Sequence, residues 1–139
     1  MSATVLYARE STVALAEFRR VLIESGMGEV RPVADERRLE ALLWGANLIV
    51  TARLNTDIRP LVGIVRCVTD FSWCCYVPDL AVSASAQGHG VGRALLDETR
   101  RLVGPQVSLV LLSYPSAVGF YEKIGMAPVS HAFCYSRES

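Results

Sequence analysis

Apolar positions recur with a helical period in the first third of the chain. A short strand is predicted over Thr4–Tyr7, followed by a helix over residues 12–25. The apolar face of that helix consists of Leu15, Phe18, Val21 and Leu22. Asp35 has the residue type and position of an N-cap, which predicts a second helix that ends at Gly45.

The pattern changes to β-strands in the middle of the chain. Leu48–Arg53 and Leu61–Thr69 are rich in β-branched residues and predict a hairpin. A third strand is predicted over Tyr76–Ser83, and a nearly continuous apolar run over Val107–Ser113 predicts a strand that is covered on both faces. We expect Met126–Tyr135 to close the sheet.

A helix predicted over Val91–Val103 connects the strands on either side of it. Its buried face is expected to contain Val91, Leu95, Leu96, Thr99 and Leu102. A strand–helix–strand crossover makes the two strands parallel and the connection right-handed. Pro115 suits the first turn of one more short helix. The fold class is therefore α/β (α+β), with a mixed central β-sheet and helices on both faces, in a single domain spanning residues 1–139.

Composition narrows the class of protein. The 139 residues carry 14 basic and 14 acidic side chains, so no excess of positive charge favours nucleic acid or an anionic membrane. No apolar run is long enough for a membrane span. No basic leader is followed by an apolar core, and the four cysteines lack metal-ligand spacing, so we expect a reduced, cytoplasmic protein without a metal. A homodimer is compatible with a composition that is 51% hydrophobic.

The turn before the third predicted helix is the main candidate for chemistry. Three glycines alternate at Gly88, Gly90 and Gly92, directly between a strand and a helix. Glycine allows backbone to approach a ligand closely, and a helix N-terminus presents unpaired N–H groups that bind phosphate. The turn therefore predicts a pyrophosphate site, although a plain strand–helix connection has the same pattern.

Two other phosphate motifs do not fit. A dinucleotide fingerprint needs a third glycine, at the position that Arg93 occupies, and an acidic residue after the next strand, where Ser113 stands. A Walker loop needs Gly-Lys-Ser/Thr, which is missing here.

Two segments together resemble a known family. The spacing Gln87-x-x-Gly90-x-Gly92, following Leu80-x-Val82, is similar to the acyl-CoA-binding motif of the GNAT N-acetyltransferase superfamily. Residues 117–126 resemble the Ala-x-x-Phe-Tyr-x-x-x-Gly-Phe segment of that family, at the usual distance after the intervening strand. The two segments cover the last third to half of the chain.

The resemblance implies acetyl-CoA as cosubstrate, bound between two parallel strands that diverge. Pantetheine would pair with the backbone of the strand that precedes the glycine turn, at Leu80, Ala81 and Val82. The pyrophosphate would lie on the turn itself, formed by Gln87, Gly88, His89, Gly90, Val91, Gly92 and Arg93. Ser113, Ala117 and Phe120 would complete the CoA site; Tyr114 stands where many members have an asparagine that contacts CoA, and Ser113 or Ser116 would replace that contact.

The resemblance also implies the catalytic residues. Tyr121 matches a tyrosine that protonates the departing thiolate, and a phenol is protonated at neutral pH. Asp79 matches an acidic position that could take the amine proton through water; the alternative, which we favour slightly, is a structural residue at the strand end that bonds to nearby backbone. Asp70 and Tyr76 are further candidates for the base.

The acceptor would approach from the end of the cleft opposite to CoA. The residues expected there are Met27, Gly28, Glu29, Arg31, Pro32, Phe71, Trp73 and Tyr76. Aromatic side chains with one or two charges suit a small-molecule or peptide amine that has an apolar part. Two functions therefore stand: an N-acetyltransferase, or a non-catalytic GNAT-like module that binds or senses acyl-CoA.

Overall fold

A computed structural model describes residues 3–139. Its elements, in chain order, are strand β1 (Val5–Glu10), helices α1 (Leu15–Ser25) and α2 (Glu36–Gly45), strands β2 (Leu48–Leu54), β3 (Leu61–Thr69) and β4 (Cys74–Val82), helix α3 (Val91–Val103), strand β5 (Ser108–Val110) and helix α4 (Val118–Lys123). Single 3-10 turns lie at Met27–Glu29, Ala84–Ala86 and Pro115–Ala117.

The five strands form one sheet in the order β1-β2-β3-β4-β5. Neighbouring strands are antiparallel from β1 to β4, and β4 and β5 are parallel, because α3 carries the chain back across one face between them. The prediction of a mixed sheet with a parallel pair at the glycine turn is confirmed.

Helices cover both faces of the sheet and create two cores. On one face, Phe18 and Leu22 of α1 and Leu39 of α2 are fully buried against β2 and β3. On the other face, Val91 and Leu95 of α3 pack on the same strands. The central strands β2 and β3 therefore place apolar side chains on both faces of the sheet.

Local signals fix the ends of the helices. The side chain of Asp35 accepts a hydrogen bond from the backbone N–H of Arg38 at 3.1 Å, which confirms the predicted N-cap of α2.

Helix α3 has the predicted bounds, and its close packing against the sheet depends on a glycine of β3. A Cβ on Gly63 would lie 2.9 Å from Cδ1 of Leu95, so only glycine lets the helix approach the sheet this closely.

Strand β4 contains a bulge. Arg66 pairs with Asp79 and Val68 pairs with Tyr76, so both Val77 and Pro78 lie opposite a single residue of β3. The bulge inverts the alternation of side chains. Up to the bulge, the odd-numbered Cys75 and Val77 point to the core beneath α3. Beyond the bulge, the even-numbered Leu80 and Val82 pack against that same core.

The last part of the chain differs from its prediction. The predicted strand over residues 107–113 is reduced to three residues, because β4 and β5 separate beyond Val110. The predicted strand Met126–Tyr135 is wrong: this segment forms no strand, and Phe133 and Tyr135 are almost fully exposed. Pro128 has no N–H group to donate to a strand ladder, and the edge strand β5 offers only three residues to pair with.

Among residues 3–139, no helix has the length and apolar character needed to cross a membrane.

Candidate active site

The divergence of β4 and β5 opens a cleft of about 950 Å³ between them. The ladder between the two strands ends at Tyr76 and Val110, so the rest of β4 pairs on one side only, with β3. Leu80 and Val82 form one wall, and Leu111 and Ser113 form the other. A strand edge that is exposed inside a narrow cleft can pair with an extended ligand.

The glycine turn closes one end of this cleft with backbone donors. Residues 88–93 contain six successive N–H groups, and among the described residues none of them donates to a protein acceptor. Ala94 is the first residue after Gln87 whose backbone N–H donates to a protein acceptor, the carbonyl of Gly90 at 3.0 Å. Gly90 is the N-cap of α3 and provides no side-chain cap. The positive end of the helix dipole and these donors together have the chemistry that suits an anion.

Two of the three glycines are required by backbone conformation. Gly88 has φ +81° and Gly90 has φ +78°, in the left-handed region that side chains with a Cβ disfavour. Gly92 serves another purpose, because a Cβ there would lie 3.0 Å from Cζ of Phe120. The glycine segment and the Phe-Tyr segment are thus in direct contact.

Tyr121 lines the cleft from α4, and its ring packs edge-on against that of Phe120 at 5.0 Å between centroids. Burial raises the pKa of Tyr121 above its ordinary value of 10.0. The phenol therefore keeps its proton throughout the neutral range and can act as a proton donor.

Asp79 does not line the cleft, and its carboxylate is buried in an ion-pair cluster with two arginines. Its carboxylate is fully buried and accepts from Nε of Arg31 at 2.6 Å and from Nε of Arg66 at 2.5 Å. Two guanidinium groups that occupy both carboxylate oxygens favour the structural alternative for Asp79, since a base must reach its proton directly or through water.

Most of the other predicted site residues line the cleft. They are Leu80, Val82, Gln87, Gly88, Gly90, Val91, Gly92, Arg93, Ser113, Ala117 and Phe120. Ala81 does not, because it points to the core beneath α1 and α2, and the exposed His89 does not line it either. Gln87 uses its side chain to donate to the carbonyl of Val82 at 2.9 Å, so this part of the strand edge is already paired.

The remaining candidates for the base and the acceptor site differ in whether they line the cleft. Asp70 accepts from three backbone N–H groups of its own loop, which lowers its pKa to about 2, and it does not line the cleft. Phe71, Trp73 and Tyr76 lie outside the cleft as well, whereas Met27, Glu29 and Arg31 line it.

Two features of the cleft were not predicted from the sequence: the basic residue Lys123 and the proximity of Tyr114 to Arg31. Lys123, the only lysine of the chain, lines the cleft from the end of α4. Tyr114 lines the wall after β5 and lies close enough to Arg31, on the connection between α1 and α2, to help raise the pKa of that guanidinium. Arg31 lies far from the other two residues in the sequence, and only the folded structure brings their segments together at the cleft.

Among residues 3–139, no group of three or more His, Cys, Asp or Glu side chains is arranged to hold a metal ion.

A five-stranded mixed sheet with a parallel pair that diverges beside a glycine-rich turn has the architecture of an acyltransferase. A family profile described as "Acetyltransferase (GNAT) domain" matches residues 45–125. The chain therefore belongs to the GNAT acetyltransferase family.

Solved structures show the same fold. A probable acetyltransferase from meticillin-resistant Staphylococcus aureus superimposes with a TM-score of 0.76 at 21% identity, covering 96% of this chain and 99% of that one. A GNAT family protein from Streptococcus pneumoniae gives a TM-score of 0.70 at 24% identity, with coverage of 98% and 100%. An aminoglycoside N-acetyltransferase, AAC(6')-Iy, solved in complex with CoA, gives 0.69 at 12% identity, with coverage of 100% and 98%. Curated protein sequences include no significant match to this chain.

Proposed function

We propose that this protein is an N-acetyltransferase that moves an acetyl group from acetyl-CoA to a primary amine by direct transfer. The observation that supports this most strongly is the row of six N–H groups over residues 88–93 that have no protein acceptor, at the end of a cleft along which β4 has no neighbouring strand on the β5 side beyond Tyr76. A pyrophosphate suits the donors, and an extended pantetheine suits the strand edge.

The fit of CoA to these residues follows from their chemistry. The backbone of residues 88–93 would hold the pyrophosphate, and Arg93 from the first turn of α3 would add a charged contact. The edge of β4 at Leu80 would orient the pantetheine arm. Lys123 lies at the same cleft and would contribute a further positive charge toward the phosphates.

When bound, acetyl-CoA supplies an acetyl group that is activated as a thioester. The cleft walls position this group and limit access of water, which favours transfer to an amine over hydrolysis. As the neutral amine attacks the thioester carbon and the C–S bond breaks, the Oη–H group of Tyr121 would protonate the departing thiolate. The proton that the amine nitrogen loses passes to water, and water returns a proton to the Tyr121 oxygen. The raised pKa of Tyr121 suits protonation of the thiolate, since the phenol is still protonated at the pH where an amine begins to lose its proton.

Release of free CoA thiol from acetyl-CoA tests the proposal. We expect the rate to depend on the presence of one class of amines in a panel of amino acids, polyamines, aminoglycosides and peptides. A protein that binds CoA by calorimetry but releases no amine-dependent thiol with any member would instead be a non-catalytic acyl-CoA-binding module. Detection of the acetylated amine by mass spectrometry distinguishes transfer from hydrolysis.

A further inference from the structure

The cleft has charged residues at two separate places. Arg93 follows the glycine turn in α3 and Lys123 ends α4, the helix whose Phe120 contacts Gly92, whereas Glu29 and Arg31 lie on the connection between α1 and α2. Arg31 contacts β4 at Pro78, four residues before Val82, which corresponds to about 13 Å along a strand. This second place is therefore distinct from the predicted pyrophosphate site.

Arg31 is held rigidly at the cleft wall. Its Nε donates to Asp79 at 2.6 Å, its Nη2 to the carbonyl of Pro78 at 2.7 Å and its Nη1 to the carbonyl of Val30 at 2.9 Å. The side chain is only 17% exposed. A guanidinium group has five N–H bonds, so two remain for other partners.

The charges around Asp79 do not balance. Its single carboxylate faces the guanidinium groups of both Arg31 and Arg66, so this buried cluster keeps one positive charge. Burial opposes the charge on Arg31, but Asp79 and the neighbouring Tyr114 outweigh it, so the pKa of Arg31 is raised. A fixed cation at the wall of a cleft favours an anionic ligand.

Two other side chains complete this part of the cleft. Tyr114 lines the cleft from the wall after β5 and lies close enough to Arg31 to help raise the pKa of Arg31, so its hydroxyl can donate to a ligand bound beside that guanidinium. Glu29 is the only carboxylate that lines the cleft among the described residues, and it forms no ion pair with them, even with Arg31 two positions away. An unpaired carboxylate in a cleft attracts an ammonium group.

We propose that the acceptor is a small amine that also carries an anionic group, with the anion bound by Arg31 and Tyr114 and the ammonium group drawn to Glu29. This inference rests on the proposed function and specifies its substrate class. A carboxylate and a phosphate have the same chemistry toward a guanidinium group, so the panel below separates them.

Matched pairs of acceptors test this proposal. The standard amino acids other than proline, aspartate and glutamate are compared with their α-amides, and O-phosphoethanolamine with ethanolamine, at saturating acetyl-CoA. For the best acceptor, we expect kcat/KM for the anionic member to exceed that of its neutral partner by about tenfold or more, since a hydrogen bond to a charged group is worth about that factor. A preference within the amino acid pairs identifies a carboxylate, and one within the other pair identifies a phosphate.

Variants assign the preference to residues. Tyr114→Phe should raise KM for the anionic acceptors severalfold and leave the neutral amines unchanged, and Arg31→Gln should abolish the preference. Glu29→Gln should raise KM for both members of every pair. Tyr135→Phe, at an exposed tail position, and Glu40→Gln, on the exposed face of α2, are the matched controls. Thermal unfolding of each variant separates loss of binding from loss of fold, and Tyr114 is exposed enough for its variant to fold.

Three results would overturn the proposal. Equal or faster turnover of the neutral amines would refute it while leaving the acetyltransferase function intact. A preference for anionic amines that Tyr114→Phe and a folded Arg31→Gln both preserve would place the anion site elsewhere. Absence of thiol release with every amine would refute the proposed function together with this inference.

Discussion

The ring of Phe120 packs on the backbone of Gly92 so closely that a Cβ there would lie 3.0 Å from Cζ. Helix α4, which carries Tyr121, is thereby placed against the first turn of α3. Phe120 is 38% exposed and can move outward, so Gly92→Ala should affect α4 more than global stability. We expect a KM for acetyl-CoA about three- to tenfold higher, with little change in Tm. Combining Gly92→Ala with Phe120→Leu should restore much of the affinity; an unchanged KM in the single variant would contradict the contact's importance.

Gly90→Ala tests conformation without a steric clash. Nothing lies within 4 Å of a Cβ at this position, but φ is +78°, so the substitution should cost about 1–2 kcal/mol of stability and weaken CoA binding. Gly90→Asn should cost less, because asparagine tolerates this conformation better. Gly104→Ala is the control: it has φ +91° at the far end of α3, and should destabilise the protein without changing the Kd for CoA. Equal effects of both alanine variants on Kd would argue against the phosphate site.

Tyr121→Phe removes the proton donor and little else. We expect kcat to fall about 100-fold, in the range typical of general acids, and the Kd for CoA to change less than twofold. Stopped-time thiol assays and calorimetry measure the two quantities. Because burial raises the pKa of Tyr121, wild-type kcat should not decline on account of this group until the pH exceeds 10.0. Unchanged kcat in the variant would exclude the acid role.

Asp79→Asn distinguishes a structural aspartate from a base. The variant leaves Arg31 and Arg66 without a counter-charge, so it should lose about 3–5 kcal/mol of unfolding free energy, measured with denaturant. The fraction that remains folded should retain the acidic limb of the pH–rate profile. A stable variant with a flattened limb would instead support the base role.

A second ion-pair cluster predicts acid sensitivity. Arg53 of β2 contacts Glu10 at 2.8 Å and Glu17 at 2.8 Å. Hydrogen bonding to Arg53 lowers the pKa of Glu17; at Glu10 burial opposes the charge but Arg53 outweighs it, so that pKa is lowered too. A lowered pKa contributes stability above the ordinary value of 4.5 that is lost as the pH falls through the lowered one.

The test for this cluster is Arg53→Gln. It should cost about 1–2 kcal/mol at pH 7, since the groups are partly exposed. The difference from wild type should shrink below pH 4.5. Arg101→Gln, which breaks an exposed pair on α3, should leave Tm unchanged. A constant difference down to pH 3 would mean that Arg53 acts through packing and not through charge.

Sequence patterns predicted those features that local chemistry decides. Helix α3 has the predicted bounds because glycines lie at both of its ends, and Asp35 caps α2 as expected. The strand over residues 107–113 was predicted too long because its apolar residues fit a buried strand, whereas pairing depends on a neighbour that diverges after Val110.

The environment of Asp79 could not be read from the chain. Its two partners are 13 and 48 residues away, and only the packing of the α1–α2 connection on β4 brings Arg31 to it. The same packing places Glu29 and Arg31 in the cleft. Pro78 was the one local sign of the bulge, since proline interrupts a regular ladder.

The bulge at Val77 and Pro78 sets the phase of the strand that follows it. The residues after the bulge have their present orientation because of one extra position. Deleting one residue there would rotate Leu80 and Val82 to the face covered by α1 and α2, and Ala81 to the face covered by α3. Substitutions within the bulge leave this phase unchanged. The cleft wall therefore depends on the length of β4 more strictly than on the identity of its side chains, so an insertion or deletion at this point should be far more damaging than any exchange of apolar residues.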